Sequence, residues 1–218
     1  MITVEKIQVA GIDSAIRGMR NPMNSWDRSD SGFIKKKGIV IDGVVGQEDM
    51  RLMQNLFQAG TEHRKYLRQV VVWMDVTAPL YWWKEFDTYK IGTVANSCST
   101  MHKIHEKEFT LDDFSHEHLL NVGMSLLEKT IEVLNLWRNV YINGNMIYPK
   151  KSKEIWWQMI QSLPSSYNQK RTVTMNYEVC ATIIKQRTGH KLTEWKDFVD
   201  VLKGLPYLNK IMEGAKDE

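Results

Sequence analysis

Lys84, Glu85, Tyr89 and Lys90 are followed closely by a run of small polar side chains, Asn96, Ser97, Cys98, Ser99 and Thr100, and Arg187 stands far along the chain. Aromatic rings, one or two cations and a hydroxyl-rich loop are what a planar anionic ligand such as a nucleotide requires. A structural core with a polar loop would have the same composition, so the residue types leave both readings open. Two histidine groups, His102 and His105 with Glu106, and His116 with His118, lack H-E-x-x-H spacing and a third ligand. They read as solvated histidines at helix ends, and no metal is expected. The chain has no P-loop and no G-x-G-x-x-G, so the glycine routes to phosphate used by kinases and Rossmann enzymes are missing.

Several elements must carry these residues. Residues 2–10 alternate imperfectly and read as a strand, and Asp13 and Ser14 offer caps for a helix through Ala15, Ile16 and Met19 that ends at Pro22 and Asn24. Residues 29–46 are rich in Gly and Lys and read as a loop or flap, with a small hairpin turning at Asp42-Gly43. Met50, Leu52, Met53, Leu56 and Phe57 fall at helical spacing before Gly60. The β-branched run 70–76 suits a strand buried on both faces, and an aromatic helix over 80–89 follows Pro79. The second half reads as helices over 117–141, 153–163, 172–187 and 196–202. Strands early and helices late predict an α+β fold with a central mixed sheet and long helices.

Composition sets the outer bounds. The 218 residues are 43% hydrophobic and 25% charged, which suits one folded domain over 1–218. The 29 basic and 26 acidic residues leave a charge of +3, too small a field to collect a nucleic-acid polymer or an anionic membrane. The first residues lack a basic cluster with an apolar run, and no stretch is long and apolar enough for a membrane span, so a cytoplasmic protein is expected. Cys98 and Cys180 are far apart and read as buried free thiols. The 12 Met and 8 Trp point to core packing or a large subunit interface.

Short landmarks in a fixed order give a further reading. Ser14-Ala15-Ile16-Arg17-Gly18-Met19-Arg20 is similar to the S-A-V-R-x-x-R helix of the flavin-dependent thymidylate synthases. Gly60-Thr61-Glu62-His63 sits where that family has a G-H-E-like turn, and Leu163-Pro164, Met175-Asn176, Arg187, His190 and Trp195 follow its later landmarks. The chain thus resembles that family over most of its length, with a divergent signature. The family's R-H-R falls on Thr88, Tyr89 and Lys90, followed by Ile91, and its N-E-x-S falls on Asn96, Ser97, Cys98 and Ser99. The arginine and tyrosine after it become Met101 and His102.

The resemblance implies a homotetramer that binds a pyrimidine nucleotide and methylates it, with FAD carrying a hydride from NADPH and methylenetetrahydrofolate supplying the carbon. Carried over position by position, Arg187 and Ser99 take catalytic places, and Glu85, Asn96, Ser97, Ser99 and Arg187 face the substrate. His63, Thr88, Tyr89, Lys90, Ile91, Asn176 and His190 face the cofactor. Where the family has arginines against phosphate, Thr and Met cannot supply a bidentate guanidinium; Lys90 acts there as a point charge, with Arg17, Arg20, Lys103 and Arg187 available to compensate. Two rival readings are a family member that binds nucleotide or a partner without flavin catalysis, and a helical scaffold with no ligand.

Overall fold

A computed structural model describes residues 2–214. In chain order its main elements are β1 (Thr3–Ala10), α1 (Ile12–Arg20), the hairpin β2 (Gly32–Lys36) and β3 (Ile39–Val44), α2 (Gln47–Gln58), β4 (Val71–Pro79), α3 (Leu80–Phe86), β5 (Thr93–Ser97), and the short α4 (Thr100–Lys103). There follow α5 (Asn121–Asn143), α6 (Lys153–Ser162), β6 (Asn168–Asn176), α7 (Tyr177–Arg187), α8 (Thr193–Lys203) and α9 (Leu208–Glu213). Four strands form one sheet in the order β1-β4-β6-β5, and β2 and β3 pair antiparallel by themselves. Among the described residues no helix is long and apolar enough to cross a membrane.

The chain gathers into two compact units. The first, built from Asp75–Thr88 and Ala95–Thr172, has an aromatic and aliphatic core. Trp82, Trp83 and Phe86 are packed with ring centroids 4.9–5.3 Å apart. Leu127, Ile131, Leu134, Trp137 and Tyr141 recur at helical spacing along α5 and meet Phe109, Phe114 and Met159. Asn135 sits on that stripe because its amide satisfies both backbone groups of Phe109, accepting from its N–H and donating to its C=O, each at 2.9 Å. Val122, Leu126, Leu136 and Ile142 of α5 face outward, Val122 84% exposed, and Leu120 just before the helix is 83% exposed.

The second unit comprises Val4–Met74, Tyr89–Val94 and the chain from Val173 on. Ala15 and Ile16 of α1, Met53 and Phe57 of α2, Ile183 and Ile184 of α7, and Trp195 and Phe198 of α8 are all buried. Each large side chain so buried stabilises the fold by about 1.5–3 kcal/mol. The hairpin is fastened at its base. Asp30 accepts from the backbone N–H groups of Glu48 and Asp49 at 2.9 and 3.0 Å, taking the place of a side-chain cap on α2. Gly46 donates its N–H to Ser31 Oγ at 2.9 Å, and a Cβ at Gly46 would lie 2.1 Å from the Asp30 carboxyl carbon, so no larger residue fits there.

Several expectations are corrected. The hairpin turns at Lys37-Gly38, not at Asp42-Gly43, which lie within β3. Strand β4 is buried on one face only: Val72, Met74, Val76 and Ala78 are sealed, while Val71, Trp73, Asp75 and Thr77 are partly open. Residues 168–176 are a strand where a helix is expected from 172, and α5 begins at Asn121, after a turn in which Leu119 N–H donates to His116 O at 3.0 Å. Cys98 is exposed; only Cys180 is buried. Nor is His105 a solvated histidine, since its ring packs 4.9 Å from Tyr141 and its Nδ1 is sealed from solvent.

Candidate functional site

Arg187 ends α7, a helix anchored by Cys180, Ala181, Ile183 and Ile184 on its buried face. At that end a cation is favoured by the helix dipole. Its guanidinium carbon lies 4.4 Å from the ring centre of Trp195, a fully buried residue of α8, and 5.5 Å from that of Tyr89. Nε donates to the Tyr89 hydroxyl at 2.9 Å, and that hydroxyl donates onward to Gln186 Oε1 at 3.0 Å. On the other side, Nη1 stands 3.2 Å from His190 Nε2. The Leu192 N–H approaches His190 Nδ1 at 3.2 Å, so a donor faces each ring nitrogen. A neutral imidazole has one acceptor nitrogen, so only one of these contacts is a hydrogen bond in either tautomer. The result is a half-buried guanidinium lying over an indole ring and bonded at its edge by a phenol.

Three further expected residues lie beside α7 or before it. Asn176 is the N-cap of α7, its Oδ1 accepting from Val179 N–H at 3.0 Å. Gly92 comes so close that a Cβ there would be 2.7 Å from Asn176 Nδ2, and its φ of +77° is the left-handed region that suits glycine. The turn 89–92 is therefore pressed along α7, with Tyr89 reaching Arg187 at one end and Gly92 against Asn176 at the other. Lys90 and Ile91 between them project outward, Ile91 92% exposed. His63, also exposed, borders a separate cavity of about 520 Å³ with Arg20, Arg28 and Arg51.

The remaining expected residues belong to the first unit. Glu85 is half-buried on α3, and its carbonyl accepts from Thr88 Oγ1 at 2.7 Å. Asn96 and Ser97 are exposed on β5, an edge strand. Ser99 caps α4, its Oγ accepting from His102 N–H at 3.2 Å. Ser99 also lines a cavity of about 680 Å³, whose wall Gln169 braces by donating to Cys98 O at 3.0 Å and Thr100 Oγ1 at 3.1 Å. Each of its three lysines is matched: Lys103 with Glu106, Lys107 with Asp113, and Lys170 with Asp75 at 3.4 Å. No cluster of three metal-ligating side chains occurs among the described residues.

Two groupings escaped the sequence. Gln186 is the third member of the Tyr89–Arg187 chain, and only its adjacency to Arg187 could have signalled it. Buried Arg20 donates to Asp49 at 2.6 Å, and Ser29 and Ser31 hydroxyls reach the same carboxylate at 2.7 and 2.6 Å. Burial alone would push the Asp49 carboxyl up, but these donors outweigh it and hold it below the usual range.

No known family profile matches the chain, and no curated protein sequence does. Solved structures do. Thymidylate Synthase X (ThyX) from Helicobacter pylori with FAD and dUMP superposes with a TM-score of 0.68 at 15% identity, covering 97% of both chains. A second structure of flavin dependent thymidylate synthase ThyX from that organism, complexed with FAD and dUMP, gives 0.66 at 14% identity over 97% of this chain and all of the other. The UMP/dUMP methylase PolB from Streptomyces cacaoi, bound with 5-Br dUMP, gives 0.56 at 14% over 84% of this chain and 76% of that one. The fold is thus α+β of the flavin-dependent thymidylate synthase type.

Proposed function

We propose that this chain is a flavin-dependent thymidylate synthase-like methyltransferase that acts on a deoxyuridine-type nucleotide, with methylenetetrahydrofolate and NADPH as co-substrates. The observation that carries the reading is the Arg187 guanidinium, set over Trp195 and bonded to the Tyr89 hydroxyl. A planar cation fixed in this way can meet two ring carbonyls or an oxyanion with little further loss of side-chain freedom. The likeness to FAD- and dUMP-bound structures supports the same ligand classes.

The turn 89–92 fits a planar anionic cofactor, because Lys90 and Ile91 stand free of the fold and offer one cation and one apolar side chain. Lys90, Tyr89, Asn176 and His190 would hold FAD, with Thr88, Ile91 and His63 in supporting places. When bound, FAD supplies hydride transfer. The chain's own residues bind and orient: Arg187 fixes the pyrimidine and Tyr89 holds the guanidinium at its edge. A homotetramer is the proposed assembly, and the outward Leu120, Val122 and Leu126 suit burial against other copies.

A second reading, nucleotide or partner binding without flavin catalysis, is favoured by the cavity at Ser99. Its lysines are all matched by carboxylates, which leaves little spare positive charge for a phosphate and favours the partner-binding form of this reading. The visible absorption spectrum of the purified protein, before and after FAD loading and desalting, separates the two. A retained flavin band with dUMP-dependent NADPH oxidation supports the synthase reading. A colourless protein that takes up dUMP but no FAD replaces it with the second.

A further inference from the structure

Arg20 is a buried cation with part of its hydrogen-bonding capacity unused. The residue is 4% exposed, yet among the described residues its hydrogen bonds are two: Nε to Asp49 Oδ1 at 2.6 Å and Nη1 to the Ser25 carbonyl at 3.2 Å. A guanidinium carries five N–H donors, so Nη2 is left without a protein acceptor. Asp49 is already committed, because its Oδ2 receives the Ser29 hydroxyl at 2.7 Å, the Ser31 hydroxyl at 2.6 Å and the Ser31 N–H at 3.1 Å. Nη2 is not among the sealed, unpartnered atoms, so an outside acceptor can reach it, and a charge-assisted hydrogen bond there would be stronger than one in open water.

Arg20 lines a cavity of about 320 Å³ within the second unit. Asp13, Arg17 and Arg20 recur along one face of α1 at a spacing of four and then three residues, so all three side chains reach it. Opposite them stand Trp26, 50% exposed, Phe33, and Lys35 of the hairpin. Lys35 pairs with Asp13 at 2.7 Å and Arg20 with Asp49, so the carboxylates balance two of the three cations. Arg17 has no ion-pair partner within bonding distance among the described residues, and one positive charge is in surplus. A ligand complementary to this lining has one negative charge, an oxyanion planar enough to meet a guanidinium edge, and a flat ring for the two aromatic side chains. A phosphate dianion would bring one charge more than the lining balances.

We propose that this cavity binds a small aromatic carboxylate, its carboxylate on Arg17 and the open edge of Arg20 and its ring against Trp26 and Phe33. The site is separate from the Arg187 cluster and does not depend on the function proposed above. Calorimetric titration of the full chain with 2-naphthoate tests it, with acetate and inorganic phosphate as the ring-free monoanion and the phosphate arm. Saturable 1:1 binding of naphthoate is expected, weakened about tenfold in Arg17→Ala and in Trp26→Ala. Acetate and phosphate should bind at least tenfold more weakly than naphthoate. Arg17 and Trp26 are exposed, so both variants should keep the parent melting temperature, and each is compared only with that confirmed. Absence of saturable binding, unchanged affinity in both variants, or tighter binding of phosphate than of naphthoate would each overturn the proposal.

Discussion

Arg20 and Asp49 meet at 2.6 Å with side chains 5% and 0% exposed, a buried ion pair whose carboxylate also accepts from the Ser29 and Ser31 hydroxyls. Removing one partner strands the other charge. Asp49→Asn is expected to destabilise the protein by about 3–5 kcal/mol, read from urea unfolding. A change below about 1 kcal/mol would show that the pair is solvated in solution.

The same carboxylate sets an acid limb. Its folded pKa lies below the ordinary 3.8, so its contribution is fully present above that value and is lost as pH falls through the folded value. Acid titration followed by circular dichroism should show unfolding beginning below about pH 4 in the parent. In Asp49→Asn the slope from this group should vanish; an identical slope in both proteins would assign the acid limb elsewhere.

Tyr89 tests the link between the turn 89–92 and Arg187. Tyr89→Phe keeps the ring and removes the hydroxyl that accepts from Arg187 and donates to Gln186. Affinity for dUMP is expected to drop roughly tenfold, the effect of one hydrogen bond to a charged group, with the melting temperature nearly unchanged. Equal dUMP affinity in the two proteins would remove Tyr89 from the binding apparatus.

Gly92→Ala combines a left-handed φ with a Cβ 2.7 Å from Asn176 Nδ2. The cost should be about 1–2 kcal/mol in stability from the backbone conformation alone, and FAD retention after desalting should fall with it. Full retention in a correctly folded variant would detach this turn from cofactor binding.

The two thiols should separate cleanly under alkylation. Cys98 is exposed and should react in the native protein, whereas Cys180 is sealed and burial pushes its thiol up to about 12. One label per chain is expected by mass spectrometry until denaturant is added; two labels in the native state would mean that α7 opens readily.

What the sequence made legible follows from how local each signal was. Helix α2 was readable because Met50, Met53 and Phe57 repeat at its period and a glycine follows. Strand β6 was not, because Asn168–Arg171 is polar and only Val173 and Met175 are fully buried, an alternation too short to outweigh the apolar run that starts α7. The doubly buried strand expected at 70–76 failed for the opposite reason: an unbroken apolar run hid the fact that Trp73 is 38% exposed on the open face. At the candidate site, Tyr89, Arg187 and His190 could be named from the order of landmarks, but the hydrogen bond between Tyr89 and Arg187 joins residues 98 positions apart. Nothing in local spacing announces Asp49 as the partner of Arg20, since the strap of Ser29 and Ser31 that completes the group is folded back over an intervening hairpin.

The fastening of that hairpin also makes it a natural insertion point. Because Gly46 N–H donates to Ser31 Oγ and Asp30 caps α2, the chain enters and leaves the hairpin at almost one spot. What lies beyond is a self-paired ribbon whose hydrogen-bond ladder is its own. A segment tied off in this way can lengthen or shorten at its Lys37-Gly38 tip while the base, with Lys35 on Asp13 and the Arg20–Asp49 carboxylate, stays as it is.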